Sequence, residues 1–365
     1  MLRKFPRKIR RVVVKVGSSL VADHEMLPRE AALRSLVAQI ADMRQQKIEV
    51  VLVSSGAIVL GLGELGEKKR PTDTPSLQAA ASIGQAALMR RYCDYFKEKG
   101  QICSQILLTW DDFADRTRFN NARNTLDVLL ARGVTAVINE NDTISTDEIK
   151  FGDNDKLSAL VASLVRADLL IMLSDVDGLY KKENGRLTEK FNEVKVITRD
   201  IEGAAGEAKD KNISKGGMIA KVNAVKIASC ANIPSIIADG RMPEVIRRIV
   251  IDREPLGTYF FEKEEKLLLR KHWILFVAKP KGRVKVDDGA KKVLLERRSS
   301  LLLPGVLGCE GVFRAGDVVI LEDIHGGELA RGITNYSVAE LMRMSVDKKK
   351  RREFIHADDL VVTAQ

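Results

Sequence analysis

The chain has 365 residues, of which 45% are hydrophobic and 30% charged, and its formal net charge at pH 7 is +10. That length predicts two domains rather than one core. The sequence contains no apolar run of about 18 residues, which excludes a membrane-spanning helix, and its basic N-terminus lacks the apolar segment of a signal peptide. The cysteines are widely scattered, and we expect reduced thiols rather than disulfides or a metal site.

The positive charge is concentrated at the two ends of the chain. Met1–Arg11 holds six cations, and Lys266–Gln365 holds 19 Lys and Arg against 13 Asp and Glu. A basic rear third is typical of proteins that contact polyanions, and a solvated basic surface explains it equally well.

Short apolar runs alternate with helical patterns along the first 260 residues. Arg11–Val16 and Glu49–Val53 are predicted strands, and a helix is predicted over Arg29–Gln46 between them. Further apolar runs end near positions 109, 142 and 175, with helices predicted over Thr117–Ala131 and Asp155–Val165. Such alternation predicts an α/β fold with a mostly parallel sheet sandwiched by helices.

Polar residues stand where the predicted strands end. The four strand ends carry Gly-Ser-Ser, Ser-Ser-Gly-Ala, Asn-Glu-Asn-Asp and Ser-Asp-Val-Asp, at positions 17–19, 54–57, 139–142 and 174–177. In open α/β sheets the ligand crevice lies beyond the carboxyl ends of the strands. The sequence therefore predicts a site at this edge of the sheet.

A change in the predicted secondary structure marks the start of a second domain. Glu262–Lys266 is a charged run without apolar periodicity, and short strands with glycine turns follow it. We predict a first domain over residues 1–261, a linker over 262–272, and a small β-barrel-like domain over 273–365 that includes a basic C-terminal segment.

Two lysines are candidates for phosphate binding. No Gly-x-x-x-x-Gly-Lys-Ser/Thr sequence is present, which excludes a P-loop. Lys15 precedes Gly17 by two residues in a buried strand, where an ammonium group needs an anionic partner, unless it points to solvent on an edge strand. Lys221 follows Gly216–Gly217 in the first turns of a predicted helix, whose N-terminus can receive a phosphate.

A cluster of Asp and Asn residues begins the helix that starts near position 155. Gly152–Lys156 reads Gly-Asp-Asn-Asp-Lys, and three such side chains exceed what helix capping needs. With Asn139–Asp142, they offer acceptors for an ammonium group and donors for a carboxylate. The pair of clusters is therefore suited to a zwitterionic amino acid.

These motifs resemble those of the glutamate 5-kinase (γ-glutamyl kinase) family, of the amino acid kinase superfamily with a C-terminal PUA domain. The resemblance covers nearly the whole chain and is carried by the segments 14–19, 53–58, 138–142, 151–155, 173–180 and 216–218. It implies ATP-dependent phosphorylation of the γ-carboxylate of L-glutamate, the first step of proline biosynthesis, in the cytoplasm. One departure is Lys215, where the family commonly has Thr.

The resemblance also implies roles for individual residues. Lys15 and Lys221 would flank the transferring phosphoryl group, and Asp155 would orient both lysines. Glutamate would be bound by Ser55, Asp142, Asn154 and Asp153. ATP would be bound by Lys15, Ser174, Asp175, Lys215, Gly216, Gly217, Met218, Ile219, Ala220 and Lys221, with Mg²⁺ on its phosphates and no side-chain metal ligand assigned.

The resemblance implies partners as well, and two alternatives stand beside it. We expect a homo-oligomer, the reductase that consumes γ-glutamyl phosphate as a partner, and no membrane contact. The PUA segment resembles a module that binds structured RNA in other proteins, and a structural or oligomer-tuning role explains it equally well. One alternative is another kinase of the superfamily, acting on acetylglutamate, aspartate, carbamate or a nucleotide. The other is an RNA-binding protein with a decayed kinase body.

Overall fold

The computed structural model describes residues 2–144, 154–183, 186–206, 217–263, 269–297, 299–344 and 353–363. The chain divides into two compact units, Met1–Lys266 and Leu267–Gln365. This division falls inside the predicted linker, while the domain limits 1–261 and 273–365 stay predictions.

The first unit alternates strands with helices, as the sequence predicts. Its strands are β1 (Arg11–Val16), β2 (Glu49–Ser54), β3 (Cys103–Leu108), β4 (Thr135–Glu140), β5 (Leu169–Ser174), β6 (Tyr180–Glu183), β7 (Arg186–Lys190), β8 (Glu193–Val194), β9 (Ser235–Asp239) and β10 (Thr258–Phe260). Its helices are α1 (Ser18–Val21), α2 (Glu30–Gln45), α3 (Ala57–Glu64), α4 (Thr74–Glu98), α5 (Trp110–Ala114), α6 (Arg116–Ala131), α7 (Asn154–Leu164), α8 (Arg199–Gly206), α9 (Met218–Cys230) and α10 (Val245–Val250).

An eight-stranded sheet forms the centre of this unit, in the order β3-β4-β2-β1-β5-β9-β10-β8. All neighbouring strands are parallel except β9 and β10. β1 lies between β2 and β5, and Val12–Val14 are fully buried, because helices cover both faces. The alternative of Lys15 on an edge strand is therefore wrong. The predicted fold class is confirmed.

Helices α3 and α4 approach each other closely at two glycines. A Cβ atom on Gly61 would lie 1.8 Å from the carbonyl oxygen of Ala80, and one on Gly84 would lie 1.8 Å from that of Ala57. Only glycine fits at such a contact. Helix α4 begins at a cap in which Asp73 accepts a 2.9 Å hydrogen bond from the backbone N–H of Ser76. The close packing brings Gln85 of α4 to the carboxyl end of β4.

The second unit is rich in sheet structure. Five strands form one sheet in the order β13-β11-β14-β15-β17, and β12 pairs with β16. The strands are β11 (Gly282–Val286), β12 (Leu301–Leu302), β13 (Val306–Gly311), β14 (Val318–Glu322), β15 (Glu328–Ile333), β16 (Glu353–Ile355) and β17 (Leu360–Val362). Three helices accompany them in the described ranges: α11 (Leu269–Phe276), α12 (Asp288–Arg297) and α13 (Val338–Met344).

None of the helices in the described residues is long and apolar enough to cross a membrane.

Candidate active site

Two buried lysines share one buried carboxylate at the carboxyl edge of the sheet. The Nζ atom of Lys15, on β1, lies 2.6 Å from Oδ1 of Asp155, and the Nζ atom of Lys221, in the first turn of α9, lies 3.3 Å from Oδ2 of the same residue. The whole-residue exposure of Lys15 and Lys221 is 6% each, and that of Asp155 is 1%. Each carboxylate oxygen thus faces one lysine, and the three groups carry one net positive charge.

The protonation state of Asp155 follows from this arrangement. Burial alone would raise the pKa of its carboxyl group, but the charges of Lys15 and Lys221 and their hydrogen bonds outweigh burial and hold the pKa below its ordinary value. Asp155 is therefore ionised at neutral pH, and it fixes two cations beside the cleft.

Beside these charges, a chain of amide groups connects four segments. The Nδ2 atom of Asn154 donates hydrogen bonds to Oγ of Ser55 (2.8 Å) and Oδ1 of Asn139 (3.0 Å). Nδ2 of Asn139 in turn donates to Oε1 of Gln85 at 2.8 Å. The Oδ1 atom of Asn154 is buried and accepts no hydrogen bond within the described part of the chain. This oxygen is therefore available as an acceptor for a ligand N–H group.

Members of both groups line one cleft of about 410 Å³: Lys15, Lys221, Ser55, Asn139 and Asn154. Its lining also contains Asp142, Arg70, Ser174 at the end of β5 and Asp175 directly after it. Ser174 Oγ donates a 3.1 Å hydrogen bond to the Asp175 carboxylate, and an Arg241 N–H group donates at 2.7 Å to the Asp175 carbonyl. A volume of this order is typical of sites for small molecules.

The structure brings together most of the residues predicted from the sequence. Seven of them line the cleft: Lys15, Ser55, Asp142, Asn154, Ser174, Asp175 and Lys221. Asp155 is held against its wall by the two lysines. Gly217 caps α9, and Met218–Ala220 form its first turn without lining the cleft. Asp153, Lys215 and Gly216 lie outside the described residues.

Three residues that the sequence did not single out belong to the site. Asn139 was predicted only as a member of the Asn139–Asp142 cluster, without a role of its own, and it connects Asn154 to Gln85. Arg70 lies between α3 and α4, in a polar stretch whose sequence does not differ from that of an ordinary surface loop. Partial burial lowers the pKa of its guanidinium group, and the charge of Asp142 opposes that shift. No local pattern marks either Gln85 or Arg70.

Comparison with known proteins places the two units in known families. The model of the amino acid kinase family matches residues 10–239, and that of the PUA domain matches residues 282–356. A glutamate 5-kinase of Geobacter metallireducens is 44% identical over 371 residues, 98% of each chain. One of Syntrophotalea carbinolica is 44% identical over 374 residues, 99% of this chain and all of the relative. One of Dictyoglomus turgidum is 41% identical over 366 residues, covering 97% of this chain and 98% of the relative.

Among solved structures, a UMP kinase from Bacillus anthracis aligns with a TM-score of 0.47 and 17% identity, over 70% of this chain and 98% of that chain. That similarity is too low to carry an argument about the site.

Proposed function

The chain belongs to the glutamate 5-kinase family, and we propose that it transfers the γ-phosphoryl group of ATP to the γ-carboxylate of L-glutamate in the cleft described above. The observation that carries the proposal is the pair of buried lysines on Asp155, beside a cleft whose lining also includes Asn154, Asp142 and Arg70. The two lysines suit a transferring phosphoryl group, and the other three side chains suit an amino acid.

The reaction needs positioning and positive charge more than proton transfer. The γ-carboxylate of glutamate is ionised at pH 7, so it attacks the γ-phosphorus without a general base. A bond forms between a carboxylate oxygen and phosphorus, the bond from phosphorus to the bridging oxygen breaks, and ADP leaves. Lys15 and Lys221 stabilise the negative charge on the phosphoryl oxygens and the leaving oxygen. Asp155 is a positioning residue, because it holds both ammonium groups in place.

ATP would lie along the side of the cleft formed by Lys15, Ser174, Asp175 and the start of α9. Mg²⁺ neutralises phosphate charge in reactions of this class. The described residues contain no cluster of three or more metal-ligating side chains. We expect phosphate oxygens and water to hold most of the Mg²⁺ coordination sphere, since that ion rarely uses an all-protein cage.

Glutamate would lie on the other side, with its γ-carboxylate directed at the lysines. Its α-ammonium group needs acceptors, which Asp142 and the Oδ1 atom of Asn154 supply, with Ser55 supporting the Asn154 amide. Its α-carboxylate needs a cation. Of the described cleft residues, Arg70 is the one cationic side chain apart from the two lysines, and we assign it to that carboxylate. Asp153, predicted to help in binding, stays a prediction.

The other readings of the sequence receive less support. The relatives named above are glutamate 5-kinases, which disfavours acetylglutamate, aspartate, carbamate or nucleotides as substrates. A decayed kinase body is disfavoured by the assembled lysine and carboxylate groups. The product is a reactive acyl phosphate, so a reductase that consumes it in proline biosynthesis is the expected downstream partner. A homo-oligomer and RNA binding by the PUA domain remain part of the proposal.

An assay with hydroxylamine tests the activity directly. The acyl phosphate reacts with hydroxylamine to give a hydroxamate, which must depend on glutamate, ATP and Mg²⁺ together. Acetylglutamate, aspartate and carbamate serve as alternative acceptors in parallel reactions. Hydroxamate or ADP formation with one of them, in preference to glutamate, would overturn the proposed substrate.

A further inference from the structure

A second cavity, of about 490 Å³, lies at the opposite end of β1 from the cleft. It is formed by three separate segments: the N-terminal residues 5–10, the turn between α2 and β2, and the residues around the end of α10. Arg10 lines this cavity, whereas Lys15 lines the cleft. At about 3.3 Å per strand residue, the two positions are about 17 Å apart.

The rim of this cavity carries charge of one sign. Its described lining contains five cationic residues and no Asp or Glu, and the cations come from all three segments: Arg7, Lys8, Arg10, Lys47 and Arg253. Within the described residues, only Arg7 of these five uses its side chain in a hydrogen bond, donating to the Asn232 side-chain oxygen at 3.0 Å. A concave surface lined by one sign of charge focuses the field and attracts counter-ions.

Nearby carboxylates are already engaged elsewhere. Asp168 accepts hydrogen bonds from the backbone N–H groups of Arg10 and Arg11, at 2.8 and 2.9 Å. Glu49 pairs with the Arg11 guanidinium at 2.6 Å, and Glu254 pairs with Arg248 at 2.6 Å. Glu49 and Glu254 are therefore neutralised by arginines outside the rim. Asp168, held by backbone N–H groups, keeps its charge and offsets one of the five positive charges at most.

A larger hollow in the first unit carries paired charges of opposite sign. It measures about 950 Å³ and lies against the outer face of α4. Several of its charges are paired: Arg34 with Glu98, and Arg91 with Glu30 and Glu64. The basic cavity is smaller, and its four remaining cations have no such pairs in the described chain.

The cavity is a built feature, because the N-terminal segment is fixed to the body of the unit. Arg3 is 5% exposed, donates through Nη1 to the Leu256 carbonyl at 2.9 Å, and lies over the Tyr259 ring at 5.2 Å. Phe5 packs edge-on against the same ring, with 6.1 Å between centroids. The basic N-terminal run is thus one wall of the cavity.

The floor of the cavity is apolar. Ile48 and Val250 are buried, and Phe5, Ile9 and Ile251 pack partly buried against the main core. A bare inorganic anion would use only the rim, whereas an anion with a planar organic body would use rim and floor together. Sites for small organic ligands combine these features at volumes of about 300–1,000 Å³.

We propose that this basic cavity binds a nucleoside diphosphate or triphosphate at a site separate from the catalytic cleft. The phosphates contact the rim formed by Lys8, Arg10, Lys47 and Arg253, and the base and sugar cover the apolar floor. β1 runs from the cavity to Lys15. Nucleotide binding in the cavity can therefore influence the position of Lys15 through this strand.

Equilibrium dialysis of the full chain against ADP, and separately against GDP, measures the number of nucleotides bound per chain. For at least one of them we expect about two per chain in the wild type. The triple variant Lys8→Gln/Arg10→Gln/Lys47→Gln should bind one, with kcat for glutamate phosphorylation within about twofold of the wild type. The exposed pair Lys68→Gln/Lys69→Gln, outside both cavities, is the matched control and should still bind two.

A second variant and a competition experiment test the same proposal independently. Lys47→Glu alone places an acid on the rim and should also remove the second nucleotide, so the test does not depend on the triple variant folding. Pyrophosphate should displace the second nucleotide only at much higher concentration than ADP itself, because it cannot use the apolar floor. One nucleotide per chain in the wild type, two retained in the rim variants, or equal competition by pyrophosphate would each overturn the proposal. Loss of glutamate phosphorylation in the wild type would instead contradict the proposed function alone.

Discussion

The Nζ atom of Lys15 lies 2.6 Å from Oδ1 of Asp155, at the end of a strand whose neighbours on both sides are parallel. Such a buried pair is costly to assemble, because both ions lose their hydration. In the proposed reaction this cost is offset, because Lys15 contacts a phosphate that carries its own negative charge. The second lysine on the same carboxylate, Lys221, leaves a net positive charge for that phosphate.

Replacing either Lys15 or Lys221 with Ala should reduce turnover much more than glutamate binding. The charge on the phosphoryl oxygens is greatest in the transition state, and one preorganised charge contributes about 10²–10³ in rate. Steady-state kinetics with varied glutamate and ATP measures kcat and both KM values. Lys97→Ala, an exposed lysine on α4, is the control. An unchanged kcat in both active-site variants would contradict the assignment of these lysines to the transferring phosphoryl group.

Asp155→Asn should destabilise the protein by about 3–5 kcal/mol at pH 7, because two buried lysines lose their common counter-ion. The folded-state pKa of Asp155 is below the ordinary 3.8. Its contribution is therefore complete above about pH 4 and is lost as pH falls through the folded-state pKa. Urea unfolding at several pH values should show the gap between wild type and variant closing in acid.

The matched control for this prediction is Asp94→Asn, which removes an exposed carboxylate on α4. It should change the free energy of unfolding by less than about 0.5 kcal/mol. A gap for Asp155→Asn that stays constant from pH 7 to pH 3 would contradict the ionised, lysine-paired Asp155.

The sequence predicts the sheet well because β1 and β2 are short, continuous apolar runs that a parallel sheet buries on both faces. It predicts Lys15, Asn154 and Asp142 because each stands at a strand end or helix start, and topology brings such ends to one edge. Lys215, Gly216 and Asp153 fall outside the described residues, and their roles stay predictions.

Gln85 and Arg70 could not be predicted, because their roles depend on tertiary contacts. Gln85 lies in the middle of α4 and reaches Asn139 only because α4 packs closely on α3 through glycines. Likewise, Cys93 and Cys103 look scattered in the sequence, yet their Sγ atoms lie 3.5 Å apart across α4 and β3. Periodicity describes one element at a time and carries no information on such pairings.

Asn154→Ala or Asp142→Ala should raise the KM for glutamate and leave the affinity for ATP nearly intact. Both side chains are assigned to glutamate in the proposed reaction, and a hydrogen bond to a charged ligand group contributes about 1.5–3 kcal/mol. That energy corresponds to a rise in KM of roughly 10- to 100-fold. Calorimetric titration with ATP and kinetics with glutamate separate the two effects. Weaker ATP binding with an unchanged glutamate KM would mean that the two subsites are exchanged.

Arg70→Gln should lower kcat/KM for glutamate by about 10- to 100-fold, the value of one charge-assisted pair. The same change should leave kcat/KM for 4-aminobutyrate, which is glutamate without its α-carboxylate, nearly unaltered. Lys69→Gln removes a neighbouring charge outside the cleft and should alter neither value. Equal losses for both substrates would show that Arg70 supports the loop rather than the carboxylate.

A fragment of residues 1–266 should fold and phosphorylate glutamate without the second unit. Every residue assigned to chemistry lies in the first unit, and its last strand, β10, ends at Phe260. Beyond residue 261, Lys263 makes two hydrogen bonds to this unit: its N–H group donates to the Ser229 carbonyl at 3.1 Å, and its carbonyl accepts from Asn232 Nδ2 at 2.8 Å. A fragment ending at 261, the predicted domain limit, lacks both hydrogen bonds and should be less stable by roughly 1–3 kcal/mol. Urea unfolding and the hydroxamate assay on the two fragments measure both effects. A folded 1–266 fragment without activity would show that the second unit takes part in catalysis.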